Sequence, residues 1–198
     1  MVHNKILVGF MGGPCTGKTT ITRFVQSELS TLGTPTATAM EFVTEDIKRH
    51  GPPDLDNQVF EQVRYYMNQC WEEERAMASA DVVLTDSPTF FSYIYALFAK
   101  QNSRSERHAL ALKDLETCFK RDTHRYDKIY LLRREFPYEE NGVRFHSLEQ
   151  AMAVDRLIEQ LLTEHGVPFT WLEGTVAERG DKVVSDVRSL VTKATKAA

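Results

Sequence analysis

The residues best suited to chemistry form a glycine-rich stretch near the start of the chain. Gly12 to Thr19 follow the pattern of a glycine, four residues and then Gly-Lys-Thr, in a stretch that begins at Gly9 directly after an apolar run at residues 5–8. A glycine-rich turn between a strand and a helix lets backbone N–H groups converge on an anion, and the helix adds its positive end. The spacing therefore predicts a phosphate-binding loop, in which Lys18 contacts the β- and γ-phosphates of a nucleotide and Thr19 donates a hydroxyl ligand to Mg²⁺.

We predict that the cofactors of this loop are ATP and Mg²⁺. The residues expected to bind them are Gly12, Gly13, Pro14, Cys15, Thr16, Gly17, Lys18, Thr19 and Thr20. ATP is favoured over GTP because the sequence has no Asn-Lys-x-Asp motif of the kind that reads guanine. A plain glycine-rich turn would explain the glycines, but not the lysine and threonine that follow them.

A second candidate residue ends the third predicted strand, at residues 81–86. This short apolar run finishes in Asp86, which is followed by Ser87 and Pro88. In a parallel sheet the carboxyl ends of the strands border the crevice in which ligands bind, so we expect the Asp86 carboxylate to lie beside the phosphate loop. Asp86 either supports the Mg²⁺ shell or accepts the proton of an attacking hydroxyl group, and the sequence leaves both roles open.

Three arginines and one glutamate complete the candidate site. Arg133, Arg134 and Arg144 belong to a polar loop after the fourth predicted strand. Because a guanidinium pairs with two phosphate oxygens at once, we expect Arg133 and Arg144 to act in catalysis and Arg134 to bind substrate; the alternative is a solvated basic turn. Glu41 follows the second predicted strand, where it either binds the phosphate acceptor or begins a helix as a favourable acid.

The rest of the pattern predicts strands and helices that alternate along the whole chain. Strands are predicted at residues 5–8, 34–40, 81–86, 126–132 and 167–172, and helices at 17–32, 41–50, 55–80, 104–123, 148–165 and 176–193. Such alternation indicates an α/β fold with a parallel sheet in one domain, residues 1–198. Together with the phosphate loop, it predicts a P-loop NTPase three-layer sandwich around a five-stranded parallel sheet.

An aromatic run at residues 90–99 allows two interpretations. It contains Phe90, Phe91, Tyr93, Tyr95 and Phe98. These side chains are either ordinary core or a surface on which a base stacks, because stacking and packing use the same residue types.

Composition and charge restrict the class of protein. The apolar content of 42% is that of a globular domain, and the odd number and wide separation of the three cysteines argue against a disulfide framework or a zinc site. No apolar run reaches membrane-spanning length and no signal peptide is apparent, so we expect a cytoplasmic protein without a membrane partner.

The net charge of −4 is unevenly distributed. Residues 100–134, here called the basic segment, contain ten Lys or Arg and five Asp or Glu. The formal net charge of this segment is therefore +5, and that of the rest of the chain is −9. Such a run is usually a solvated face, and the alternative is a surface for a polyanion such as DNA.

With these segments placed, the chain resembles the P-loop kinases grouped around the nicotinamide-riboside kinase domain of bacterial NAD-biosynthesis proteins, a NadR-like and thymidylate-kinase-like group. The resemblance rests on the phosphate loop, Glu41-Phe42-Val43, Asn57-Gln58, Thr85-Asp86-Ser87-Pro88, Tyr126-Asp127, and Pro137-Tyr138 through Asn141-Gly142-Val143-Arg144. It implies ATP- and Mg²⁺-dependent transfer to a hydroxyl group of a nucleoside-type acceptor, and a mobile arginine-bearing lid at about residues 133–146.

Two features depart from that group and leave the acceptor open. The 198 residues contain no counterpart of the adenylyltransferase domain, and the basic segment, whose helical part is expected at about residues 100–125, is additional. Phage-encoded relatives are associated with phosphorylating 5-hydroxymethyluracil within DNA, which a basic segment would suit; such a protein would act in the host cytoplasm. The acceptor is thus a free nucleoside, a nucleotide or a modified base in DNA.

A function of another class is a nucleotide-dependent switch. The loop would then bind ATP or GTP, and a change of conformation would be the output. Neither this alternative nor the oligomeric state is decided by the sequence.

Overall fold

The structure, a computed structural model, describes residues 5–52, 58–100, 108–138 and 146–197. Its sheet consists of β1 (Ile6–Met11), β2 (Thr36–Ala39), β3 (Val82–Thr85), β4 (Lys128–Leu132) and β5 (Thr170–Leu172). The five strands pair in parallel in the order β2-β3-β1-β4-β5. The predicted five-stranded parallel sheet is confirmed, and β1 lies at its centre, so the phosphate loop leaves from the middle of the carboxyl edge.

Seven helices cover the two faces of the sheet in the part of the chain that is described. They are α1 (Lys18–Thr31), α2 (Phe42–His50), α3 (Gln58–Ser79), α4 (Phe91–Lys100), α5 (His108–Asp122), α6 (Leu148–Glu164) and α7 (Val176–Ala197); a short 3-10 helix spans Thr123–Arg125. The first residues of the helices predicted at 55–80 and 104–123 lie outside the described ranges. Over those ranges, no helix has the length and apolar character needed to span a bilayer.

The apolar run of β1 is explained by burial on both faces of the sheet. Ile6, Val8 and Phe10 belong to a core cluster shared with α1 and α7. Leu7 and Met11 belong to a second cluster, formed with residues of α3 to α6. Helices on both sides of a parallel sheet require such two-sided burial, and the three-layer sandwich is thereby confirmed.

The structure differs from the predicted elements in several places. β1 continues to Met11 and α7 to Ala197, beyond their predicted ends at residues 8 and 193. The aromatic run forms α4, most of which is buried because it packs against the helices α3, α5 and α6. The fifth strand starts at Thr170 instead of residue 167. Val167 donates its N–H to the carbonyl of Leu162 (2.8 Å), so it belongs to the turn that closes α6 and not to the sheet.

Candidate active site

The phosphate loop joins β1 to α1 through a strained turn. Cys15 (φ 64°) and Gly17 (φ 90°) both adopt positive φ, which for a residue other than glycine is unfavourable. Lys18 is the first residue of α1, and its Nζ donates to the carbonyls of Gly12 (2.8 Å) and Gly13 (3.4 Å). The ammonium group is therefore folded back over the loop, on the side where phosphates would be bound.

Asp86 lies directly beside the start of α1. Its Oδ2 accepts a hydrogen bond from Thr19 Oγ1 (2.5 Å), and it is 2% exposed. Burial raises the pKa of Asp86 to about 6, while Lys18 lowers it and Glu41 raises it further. Its other oxygen, Oδ1, is buried and has no hydrogen-bond partner among the described residues. A hydroxyl and a carboxylate with an unsatisfied oxygen fit the oxygen ligands that Mg²⁺ prefers.

A cavity of about 320 Å³ extends from the phosphate loop. Its lining includes residues 14–20 of the loop, Glu41, and side chains of α2, α3 and α4. Three aromatic residues of α4, here called the aromatic wall, are part of this lining: Phe91, Tyr95 and Phe98. The ring centre of Phe91 lies 5.7 Å from Lys18 Nζ. Phe90 and Tyr93 instead pack against Phe119 in the core. Packing in the core is thus confirmed for Phe90 and Tyr93, and stacking of a base on the aromatic wall stays a prediction.

Glu41 is fixed at the junction of β2 and α2. It is the residue immediately before α2, and its Oε2 accepts from Thr44 Oγ1 (2.5 Å). The N–H of Phe42 donates to Gln69 Oε1 (3.0 Å), which ties this end of α2 to α3. Glu41 begins the helix and also lines the cavity, so both roles expected of it are compatible with its position.

The arginines of the predicted lid are placed differently from one another. Arg134 lies behind the phosphate loop, where Nη1 donates to the Pro14 carbonyl (2.6 Å) and Nε to Asp155 (2.7 Å). Arg133 stacks its guanidinium 3.5 Å from the Trp171 ring centre and pairs with Glu173 (2.9 Å), away from the cavity lining. Arg144 lies outside the described residues. The catalytic roles of Arg133 and Arg144 remain predictions.

Several residues of the site were not identified from the sequence. Gln62 and Tyr65 of α3 line the cavity, and Asp155 and Arg179 hold the phosphate loop from behind. Gln62 interrupts the apolar face of α3, which is a detectable sign of a polar role. Arg179 carries no such sign, because an arginine in a predicted surface helix is ordinary.

Ion pairs occupy most of the basic segment. Of its eight described Lys and Arg residues, six contact a carboxylate: Lys120, Arg121, Arg125, Lys128, Arg133 and Arg134. In the described part, the positive charge is therefore largely neutralised within the protein, as on a solvated face.

A buried polar network supports the turn that follows Asp86. The Thr89 N–H donates to the Tyr126 hydroxyl (2.9 Å), which in turn donates to Glu73 Oε1 (2.5 Å). Thr89 Oγ1 also donates to Asp122 Oδ2 (2.9 Å). Glu73 is fully buried, and this burial raises its pKa to about 7. Helices α3 and α5 thus hold the turn three residues beyond Asp86.

The buried carboxyl of Glu73 predicts a specific pH dependence of stability. Its pKa is about 7 in the folded chain against an ordinary value near 4.5, so the folded state binds more protons, and the free energy of unfolding falls as the pH rises through this window. Asp86 contributes in the same sense, but only up to about pH 6. Between about pH 6 and 8 we expect a loss of about 1 kcal/mol that is absent in Glu73→Gln.

Urea unfolding of both proteins at a series of pH values measures this difference. Glu159→Gln, at an exposed position of α6, is the matched control and should keep the wild-type slope. Parallel pH profiles for wild type and Glu73→Gln would contradict the assignment.

Solved structures with a similar architecture include proteins in complex with nucleotides or with NR. A NadR protein in complex with NAD and AMP-PNP has a TM-score of 0.67 at 18% identity, over 94% of this chain and 49% of that one. A NadR protein in complex with NR has a TM-score of 0.66 at 19% identity, over 94% and 52%. This chain therefore spans about half the length of the NadR structures.

A deoxyadenosine kinase from M. mycoides with bound dCTP is also similar, with a TM-score of 0.64 at 13% identity, over 93% of this chain and all of that one. At these identities the likeness shows the fold. It confirms the resemblance to NadR-like and nucleoside-kinase-like proteins that the sequence suggested.

Sequence comparison gives the family. No curated protein sequence matches this chain significantly. A family model described as an AAA domain matches residues 7–179, from β1 into α7, and so includes the phosphate loop, Asp86 and Glu41. The chain belongs to this AAA-domain family, AAA_28, of P-loop proteins.

Proposed function

We propose that this protein is a kinase that transfers the γ-phosphate of ATP to a hydroxyl group of a nucleoside-type acceptor. The observation that carries the proposal is a single cavity that joins the phosphate loop to a carboxylate, Glu41, and to the aromatic wall. A phosphate donor and a planar acceptor bound at its two ends would meet between Lys18 and Glu41. Positioning of this kind supplies much of the catalysis in phosphoryl transfer.

The residues at the donor end have distinct roles. Loop N–H groups and Lys18 would hold the phosphates, and Thr19 with Asp86 would hold Mg²⁺, which when bound neutralises phosphate charge. Asp86 was open to a metal or a base role. Its hydrogen bond with Thr19 and its unsatisfied Oδ1 support the metal role, because both groups then face the same ion.

Glu41 is then the group that receives the proton of the acceptor hydroxyl. It lies in the cavity at the end of β2, and its negative charge contributes to the raised pKa of Asp86. A carboxylate held by Thr44 on a helix start can orient a hydroxyl group and accept its proton as the bond to phosphorus forms.

A free nucleoside is the acceptor that the described residues favour. Aromatic rings and the amide of Gln62 offer stacking and hydrogen bonding to a base, and a cavity of about 320 Å³ suits a small ligand. In the described part of the basic segment, six of eight cationic side chains already contact carboxylates, which argues against a DNA-binding face there. The bound ligands of the similar structures, NR and dCTP, agree with a nucleoside-type compound.

A transfer assay with γ-labelled ATP tests the proposal. The acceptors would be free nucleosides including nicotinamide riboside, nucleoside monophosphates, and DNA with and without 5-hydroxymethyluracil, each at two salt concentrations. We expect label on a free nucleoside, with little effect of salt. Labelled DNA with a steep salt dependence would select the polymer acceptor instead. ATP hydrolysis without any labelled acceptor would support the nucleotide-dependent switch.

Glu41→Gln should separate chemistry from binding. The amide keeps the shape of the side chain but cannot accept the proton, so kcat is expected to fall roughly 10²- to 10³-fold while the KM for ATP changes little. Steady-state kinetics of the variant and of Glu45→Gln, an exposed residue of the same helix, measure this. A kcat within about threefold of wild type would exclude Glu41 as the base.

A further inference from the structure

We propose that Arg134 and Arg179 are positioning residues of the phosphate loop, each holding one loop carbonyl from behind so that the next N–H group faces the nucleotide phosphates. The inference rests on the proposed binding of ATP by this loop. It assigns Arg134 a role different from the direct substrate contact expected from the sequence. It also assigns a role to Arg179, which the sequence did not identify as a site residue.

Arg179 is a fully buried arginine at the start of α7. Nη1 donates to the Thr16 carbonyl (3.3 Å) and Nε to the Gly174 carbonyl (2.8 Å). Nη2 donates to the Arg133 carbonyl (3.1 Å) and to Glu135 (2.6 Å). A buried charge is tolerated when it is paired and hydrogen-bonded, and here one carboxylate and three carbonyls serve that purpose. The guanidinium thus connects the phosphate loop, the end of β4 and the turn before α7.

Arg134 makes the corresponding contact two residues earlier in the loop. Its Nη1 donates to the Pro14 carbonyl (2.6 Å), and Asp155 fixes its Nε at 2.7 Å. The second oxygen of Asp155 accepts the Gly13 N–H (2.7 Å). A Cβ at Gly13 would lie 2.6 Å from Asp155 and 2.8 Å from the Ala151 carbonyl, so the close approach of α6 requires a glycine there.

The geometry of the peptide unit links these contacts to phosphate binding. The loop peptides are trans, and in a trans peptide the carbonyl and the N–H point in opposite directions. Since the carbonyls of Pro14 and Thr16 point at the two arginines, the N–H groups of Cys15 and Gly17 point the other way. Residues 14–17 line the cavity, whereas neither arginine does, so these N–H groups face the cavity side.

The backbone of the loop explains why such support is needed. Cys15 and Gly17, whose N–H groups are turned in this way, are the two loop residues with φ of 64° and 90°. Positive φ is unfavourable for cysteine, so the conformation persists when surrounding contacts hold it. Two guanidinium groups, each bonded to a loop carbonyl and anchored by a carboxylate, provide these contacts. The amides are thereby oriented before phosphate arrives, which lowers the cost of binding.

Binding of tripolyphosphate tests the inference, because this probe occupies the phosphate cradle without the base. Isothermal titration would compare wild type with Arg179→Lys, Arg179→Met and Arg134→Lys, each checked for folding by circular dichroism and thermal melting. Lysine keeps the positive charge but not the fork of donors that reaches several acceptors. We expect Kd for tripolyphosphate to rise roughly tenfold to a hundredfold in every folded variant. Arg188→Met, at an exposed position of the same helix, should bind like wild type.

A second measurement separates orientation of the loop from a general structural effect. The Kd for a nucleoside accepted in the transfer assay should stay within about twofold of wild type, because neither arginine lines the cavity in which the nucleoside would bind. Should Arg179→Met not fold, the two lysine variants decide the question. Folded lysine variants that bind tripolyphosphate as tightly as wild type would overturn the inference. Failure of the wild-type protein to bind tripolyphosphate would contradict the proposed function, and the inference with it.

Discussion

Lys18→Ala is expected to abolish phosphoryl transfer, with a loss of roughly 10³-fold or more in kcat/KM for ATP, in a chain that remains folded. The ammonium group is the charge best placed to follow the transferring phosphoryl group, since it is the first side chain of α1 and lies over the loop. Its bonds to the carbonyls of Gly12 and Gly13 are local, so losing them should cost about 1 kcal/mol of stability.

Single-turnover transfer from γ-labelled ATP, together with thermal unfolding, measures both parts of this expectation. Lys182→Ala, at an exposed position of α7, is the matched control for the loss of a lysine. A Lys18→Ala protein with intact transfer and unchanged stability would exclude the phosphate loop from the reaction. If Lys18→Ala loses transfer because it unfolds, thermal unfolding will show a lowered melting temperature, and the expectation of a folded, inactive chain is then wrong.

The phosphate loop and Asp86 were predictable because their signals are local. A phosphate loop needs its glycines, lysine and threonine at fixed spacing in one turn, so the sequence pattern of residues 12–19 is sufficient to predict the local structure. Asp86 needed one further step, since a carboxylate at the end of a parallel strand is brought to the edge at which β1 also ends. Glu41 followed by the same reasoning from β2.

The acceptor end and the back of the loop were less predictable, because tertiary contacts create them. The residues of the aromatic wall also pack in the core, and only the placement of α4 beside the loop shows which residues of the aromatic run reach the cavity. Arg179 approaches the loop across 163 positions of sequence, and Asp155 across 142. No spacing rule covers such distances.

The arginines illustrate how charge alone misleads. Arg133 and Arg134 are adjacent and chemically identical, and the sequence offered both as phosphate ligands. Leaving β4, successive side chains take different directions, so Arg133 stacks on Trp171 whereas Arg134 turns toward α6 and the phosphate loop. The partner, not the charge, determines what each guanidinium can do. The same reasoning applies to the basic segment. Most of its described Lys and Arg side chains form ion pairs with carboxylates, whereas a count of residues treats all of them as available to bind an anion.

Asp86→Asn is expected to lower turnover roughly 10²- to 10⁴-fold and to change the dependence on Mg²⁺ and on pH. Asparagine fills the same space and can still accept from Thr19, so the loss would reflect the missing negative charge toward the metal. Without metal, burial raises the pKa of Asp86 to about 6, and a metal ligand must be deprotonated.

The pH profile gives this prediction its sharpest test. At low Mg²⁺ the wild-type rate should rise with pH through about 6, as the carboxyl loses its proton, and the midpoint should move to lower pH as Mg²⁺ increases, because metal and proton compete for one group. Asp86→Asn should lack this inflection and require more Mg²⁺. Asp181→Asn, on the exposed side of α7, should retain the wild-type profile. Near-wild-type turnover in Asp86→Asn would remove Asp86 from the site. An inflection that does not move with Mg²⁺ would assign the titration to proton transfer, and would return Asp86 to the base role that its strand-end position also permits.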